Sequence, residues 1–157
     1  MDDLARQCAR DILDTVPPVM RFIRDQVRLR RAAGLSLPQF RTLIFLSRVK
    51  NSSLSAVAEH LGLSLPAMSR LINGLVAHKL VERQTVSTNR RQIALTLTAR
   101  GRATLEVVRG EIRLQLADAL KGLPAAEQRT VQQAMRVLHR IFESKTATRN
   151  PSLKVRP

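Results

Sequence analysis

Two short apolar-periodic segments flank Gly62, and two alternating runs follow them at once; no other feature of the sequence constrains the fold as strongly. The first segment carries Leu54, Val57, Ala58 and Leu61. The second carries Met68, Leu71, Ile72, Leu75 and Val76, an i, i+3, i+4, i+7, i+8 series that places all five on one helical face. Gly62 permits the positive φ that a tight turn between two helices needs. Ser64 is placed to cap the second helix, and the small side chain of Ala58 lets the two helices approach closely. Leu80-Val81 then open a second pattern. After a polar stretch over 85–92, Ile93, Leu95 and Leu97 alternate with Ala94 and Thr96, so the two runs predict a β-hairpin.

The flanks read as helices. Leu4, Cys8 and Ile12 predict a short helix over 2–14, which Pro17-Pro18 should interrupt. Val16, Met20, Ile23 and Val27 form the stripe of a second helix ending near Arg31, with Gly34 as its stop signal. Ser36 caps a helix through Phe40, Leu43, Ile44 and Ser47. Beyond the hairpin, Thr98 caps a long helix with Leu105, Val108, Ile112, Leu116 and Ala119 on one stripe. Gly122 ends it and Pro124 starts a last helix, expected to bury Val131, Met135, Leu138 and Phe142. The tail over 144–157 has four basic residues, no acids and two prolines, and reads as disordered. The expected fold is mainly α with a small β-hairpin wing. Residues 1–34 would belong to a dimerisation lobe, 35–100 to a winged helix-turn-helix domain and 101–143 to further dimerisation helices.

Charge narrows the partner. Among 157 residues, 27 Lys and Arg face 12 Asp and Glu, a formal net charge of +15. Such a balance favours a polyanion: nucleic acid first, an anionic membrane surface second. No apolar run approaches the roughly 20 residues a membrane span needs. The opening Asp2-Asp3 is unlike a signal peptide, so a cytoplasmic location is expected. Cys8 is the single cysteine, which excludes an intrachain disulfide and argues against structural zinc. His60, His78 and His139 lie in three separate segments with no nucleophile pattern, phosphate loop or metal-ligand spacing, so neither an enzyme, a cofactor nor a metal site is expected.

The second helix of the pair has a face suited to reading DNA. Pro66, Ala67, Ser69, Arg70 and Asn73 point away from the apolar stripe. Ser64 stands at its start. Short side chains with one arginine allow close approach to base edges in a major groove. The hairpin tip carries Asn89, Arg90 and Arg91, and arginines on a narrow ribbon suit a minor groove. From His60 to Arg91 five basic residues (Arg70, Lys79, Arg83, Arg90, Arg91) stand against Glu82 alone, a local charge of +4.

At these positions the chain resembles the MarR family of bacterial regulators. The resemblance spans about 16–142. It rests on Gly34-Leu35-Ser36-Leu37-Pro38-Gln39-Phe40, Leu61-Gly62-Leu63-Ser64, Ser69-Arg70-Leu71-Ile72, Leu80-Val81-Glu82-Arg83, and Asn89-Arg90-Arg91 leading to Leu97-Thr98-Ala99-Arg100-Gly101. It implies a homodimer with interlocked terminal helices, bound to double-stranded DNA at a pseudo-palindromic operator. In that likeness Arg91 matches the wing arginine, and Ser64, Pro66, Ala67 and Arg70 match recognition-helix positions. It further implies a repressor released by a small-molecule effector held between the lobes, for which Met20, Ile23, Val27, Phe40 and Ile44 are candidate lining residues. Two positions depart from the family pattern: Asn89 replaces the usual Asp, and Lys79 replaces the usual Gly. Two other readings stand beside this one. One is a redox-sensing regulator acting through Cys8, although no tyrosine exists to accompany it. The other is a non-specific architectural DNA-binding protein.

Overall fold

The computed structural model describes residues 3–29, 34–85 and 93–149, with only the backbone described over 143–149. Six helices and one hairpin follow in order: α1 (Asp3–Leu29), α2 (Leu37–Arg48), α3 (Leu54–Leu61), α4 (Leu65–Ala77), β1 (Val81–Thr85), β2 (Ile93–Leu97), α5 (Ala99–Leu120) and α6 (Ala125–Arg149). The expected mainly α fold with a hairpin wing is thus present.

Local chemistry sets the boundaries of the central helices. At α2, the Gln39 N–H donates to Ser36 Oγ at 3.3 Å while Gln39 Oε1 accepts from the Ser36 N–H at 2.8 Å. This reciprocal pair satisfies two amides that a helix start otherwise leaves open. Ser53 and Ser64 cap α3 and α4 by one bond each, their hydroxyl oxygens accepting from the N–H groups of Ala56 and Ala67. Gly62 ends α3 at φ 69°, and the Leu63 N–H turns back to the Ala58 carbonyl at 3.0 Å. Only a residue at ease in the left-handed region makes that turn cheaply.

One core joins these elements. Met68, Ile72 and Leu75 of α4 meet Leu43 and Phe45 of α2, Val57 and Leu61 of α3, and Leu105, Val108 and Ile112 of α5. The hairpin is antiparallel, with Val81 opposite Leu97 and Arg83 opposite Leu95. Val81, Leu95 and Leu97 face inward and are buried. The ribbon is tied to the α2–α3 turn by an isolated bridge in which the Leu95 N–H donates to the Ser52 carbonyl at 2.8 Å. Buried Thr42 donates its hydroxyl to the Pro38 carbonyl at 2.8 Å, so its burial leaves no polar group stranded.

The start of α5 is pressed against the end of α4. Thr98 caps α5 by accepting from the Gly101 N–H at 2.9 Å and donates its own hydroxyl to the Lys79 carbonyl at 2.7 Å. A Cβ on Gly101 would stand 2.0 Å from the Leu80 carbonyl oxygen, so this contact exists only because residue 101 has no side chain. Lys79 itself is left-handed, at φ 58°. The position where the family pattern has glycine therefore keeps the glycine conformation with a lysine in it.

Two sequence expectations are corrected here. Pro17-Pro18 do not divide the N-terminal region; α1 runs through both, and its last described residue is Leu29, so Arg30 and Arg31 lie outside the described residues. The prolines remove the N–H groups that would reach the carbonyls of Leu13 and Asp14. Both residues are exposed, so water can take the freed carbonyls. Second, α6 continues past Ser144 to Arg149, because no glycine or proline intervenes before Pro151. Residues 150–157 lie outside the described residues. Within the single chain, the α6 stripe is left partly open: Val131, Met135 and Phe142 are 37%, 55% and 52% exposed. The helix has no extensive packing against any other element among the described residues.

Candidate nucleic-acid interface

The helix α4 is held from behind by Met68, Ile72 and Leu75, all with no exposed surface. Its opposite side presents Pro66, Arg70 and Asn73 as exposed residues, with Ala67 and Ser69 half-buried beside them. Ser64 stands exposed at the N-terminus, its hydroxyl engaged by the Ala67 N–H. Proline at the second helical position fits there because that amide has no partner within the helix. The helix therefore offers a rigid, closely approachable face carrying one long cation. Among the described residues no carboxylate pairs with Arg70.

Two residues on this surface escape the sequence reading. Leu65, the first residue of α4, is 53% exposed, and an exposed apolar group beside short polar ones suits contact with a thymine methyl. Arg83 of β1 donates from Nη2 to Asn73 Oδ1 at 2.6 Å, joining the wing to α4. Strand alternation could have signalled that Arg83 shares the face of Val81, toward α4, but not that Asn73 receives it. The wing-tip residues Asn89, Arg90 and Arg91 lie outside the described residues.

The five candidate effector residues are distributed differently. Val27 and Phe40 are buried in the common core, Ile23 and Ile44 pack on its edge, and Met20 is exposed on α1. None of them lines a cavity of about 190 Å³ enclosed by the start of α2, the end of α4 and the start of α5. That cavity has an apolar floor of Leu35, Leu75 and Leu80 and a polar rim that includes Gln39, His78 and Arg100. His78 is partly committed, its Nδ1 lying 2.8 Å from the Gly74 carbonyl.

His60 packs its ring against Phe45 at 4.5 Å between centroids, the two planes tilted by 36°. Burial holds its pKa below the usual histidine value, and the charges of Arg41 and Arg48 act in the same direction. Cys8 is exposed on α1. Among the described residues no cluster of three or more His, Cys, Asp or Glu side chains is placed to hold a metal ion. No described helix is long and apolar enough to cross a membrane.

Comparison with known proteins bears on this geometry. Residues 33–92, the stretch from before α2 through the wing tip, match the MarR family. The HTH-type transcriptional repressor Rv2887 of Mycobacterium tuberculosis is 31% identical over 105 residues, covering 67% of this chain and 76% of that protein. Among solved structures, Rv1404 of Mycobacterium tuberculosis superposes with a TM-score of 0.75 at 23% identity, covering 91% of this chain and 97% of that one. The MarR family protein Rv2887 in complex with DNA superposes with a TM-score of 0.63 at 28% identity, covering 78% and 93%. The same protein in complex with salicylic acid gives 0.63 at 29% identity, covering 78% and 92%. From the sequence match, the shared helix-turn-helix and the wing that follows it, the chain belongs to the MarR family, whose members are transcription regulators and not enzymes.

Proposed function

We propose that this protein is a homodimeric repressor that reads a pseudo-palindromic operator and is released from it by a small organic acid. The observation that carries the DNA reading is the outward face of α4. Pro66 and Arg70 stand exposed on it with Ala67 and Ser69 half-buried between them, and a buried stripe fixes it from behind. With α4 in the major groove, Arg70 is the one long donor on that face, and arginine to guanine is the commonest specific base contact. Arg91 is the expected minor-groove contact, as its likeness to the family's wing arginine implies, with Arg90 adding charge beside it in the sequence. The +15 net charge supports broad attraction to the duplex.

Dimerisation has its own support. Leu4, Leu13, Val16, Val19 and Met20 of α1 and Val131, Met135 and Phe142 of α6 expose apolar surface that a lone chain leaves in water. A symmetric partner covering both ends also sets two α4 helices apart on one face of the duplex, as a palindrome requires. For the effector, the complex of the relative Rv2887 with salicylic acid supports a small aromatic acid as ligand.

Selection of random duplexes by the full-length protein, followed by footprinting, tests the reading. The expected result is an enriched inverted repeat with half-sites about 10 base pairs, or a multiple, apart. Salicylate at millimolar concentration is expected to lower occupancy. Even coverage without an enriched motif would favour a non-specific architectural role.

A further inference from the structure

We propose that Arg83 is a phosphate-contacting residue of the interface and that Asn73 positions it and does not read a base. The inference rests on the DNA-binding reading above and assigns new roles to these two residues.

The geometry begins with strand alternation. In β1, Val81 is buried, so Arg83, two residues on, shares the side that faces α4. The intervening Glu82 points the other way, where its Oε1 accepts from Gln84 Nε2 at 2.8 Å and from Thr96 Oγ1 at 3.3 Å. The wing's one acid is therefore held on the far face, and among the described residues no carboxylate neutralises Arg83. What holds Arg83 is the amide oxygen of Asn73 at 2.6 Å. That acceptor is neutral. It fixes the guanidinium while leaving its full charge and about four of its five N–H groups uncommitted.

The consequence for Asn73 is direct. Reading adenine requires the asparagine oxygen and amide nitrogen together, in a bidentate pair. The bond from Arg83 takes one of the two Oδ1 lone pairs and ties the amide to the wing, which sets it against that pair. The consequence for Arg83 follows from its place. It stands in the angle between α4 and the wing. When the helix enters the major groove and the ribbon the adjacent minor groove, the sugar-phosphate strand dividing the two grooves runs through this angle. A planar, preoriented guanidinium suits a phosphate in that place.

The test uses the full-length protein with two probes: a random-sequence 30-base-pair duplex and a duplex selected by the protein itself. Arg83→Ala is expected to weaken both by on the order of tenfold and to reduce the log-log salt slope by about 2 for a dimer. Asn73→Ala should weaken both by a smaller factor, with no further loss in the Arg83→Ala background. Asn73→Asp should keep the contact but neutralise the guanidinium, lowering the salt slope as Arg83→Ala does. Arg83→Met, which keeps the stem without the charge, should behave like Arg83→Ala; it carries the test if the alanine variant melts early. Unchanged affinity and slope in both Arg83 variants would overturn the proposal. So would loss in Asn73→Ala confined to the selected duplex and additive with Arg83→Ala, because Asn73 would then read bases directly. Wild-type protein binding neither duplex would reject the DNA-binding reading itself, a result distinct from either of these.

Discussion

In α4, Met68, Ile72 and Leu75 are fully covered by their own chain. In α6, residues of similar character at helical spacing, Val131, Met135 and Phe142, stand 37%, 55% and 52% exposed. Likewise, α1 buries only Val27 while α5 buries Leu105, Val108 and Ile112. Amphipathic periodicity is present in both regions, so it does not distinguish them; what differs is whether neighbouring elements return to cover the stripe. Between Leu35 and Ile112, short turns fold α2, α3, α4 and the hairpin back onto one another. Among the described residues α1 meets α2 and α5 mainly through its C-terminal end, and α6 has no extensive packing against another element. One region is covered by its own chain, and the other leaves apolar surface open, which the proposed dimer would cover.

Paired methionine substitutions should sharpen that contrast most. Met68→Ala removes a fully buried side chain and is expected to cost about 2–5 kcal/mol of folding stability in chemical denaturation. Met135→Ala should leave the central core intact and raise the dimer dissociation constant by about tenfold. A folding loss in Met135→Ala as large as that in Met68→Ala would erase the distinction. Next in size is Gly101→Ala. Its Cβ meets the backbone oxygen of Leu80, which cannot swing aside as a side chain would, so a loss of about 3 kcal/mol is expected. A melting temperature equal to wild type would show that the α4–α5 junction is looser than described.

Arg70→Ala tests the exposed face of the self-contained lobe. It should cost about 1–3 kcal/mol on the selected duplex and less on random DNA, measured by fluorescence anisotropy, with the melting temperature unchanged. Equal affinity for both probes before and after the change would remove Arg70 from base reading. Smallest is Lys79→Gly. Lys79 holds φ 58°, and glycine there should stabilise the fold by roughly 1 kcal/mol. Destabilisation would show that the lysine side chain contributes more than its backbone costs.

The legible parts of this molecule are those where one residue solves one local backbone problem. Gly62 supplies a positive φ, and Ser36, Ser64 and Thr98 satisfy open amides; each is readable from residue type and spacing. Such signals placed α2 to α5 and the hairpin correctly. Pro17-Pro18 misled because a proline's missing hydrogen bond matters less where solvent can reach the freed carbonyl. The α6 stripe is legible in another way: period 3.6 shows that a face needs covering, not which chain covers it. Asn73 was legible as exposed and polar, but its bond to Arg83 crosses from helix to strand, and no local pattern encodes a partner ten residues away. The expectation of Met20, Ile23, Val27, Phe40 and Ile44 as pocket residues drew on the family likeness and on apolar type, and core packing accounts for the buried ones equally well.

The account's central claim is that the ends of this chain are completed by a second copy, so that two α4 helices are presented together. Sedimentation velocity of the full-length protein at micromolar concentration tests it most directly. The account predicts a single species of about twice the 17.6 kDa chain mass, dissociating on dilution more readily in Met135→Ala than in wild type. A compact 17.6 kDa monomer that stays soluble and folded at that concentration would contradict it.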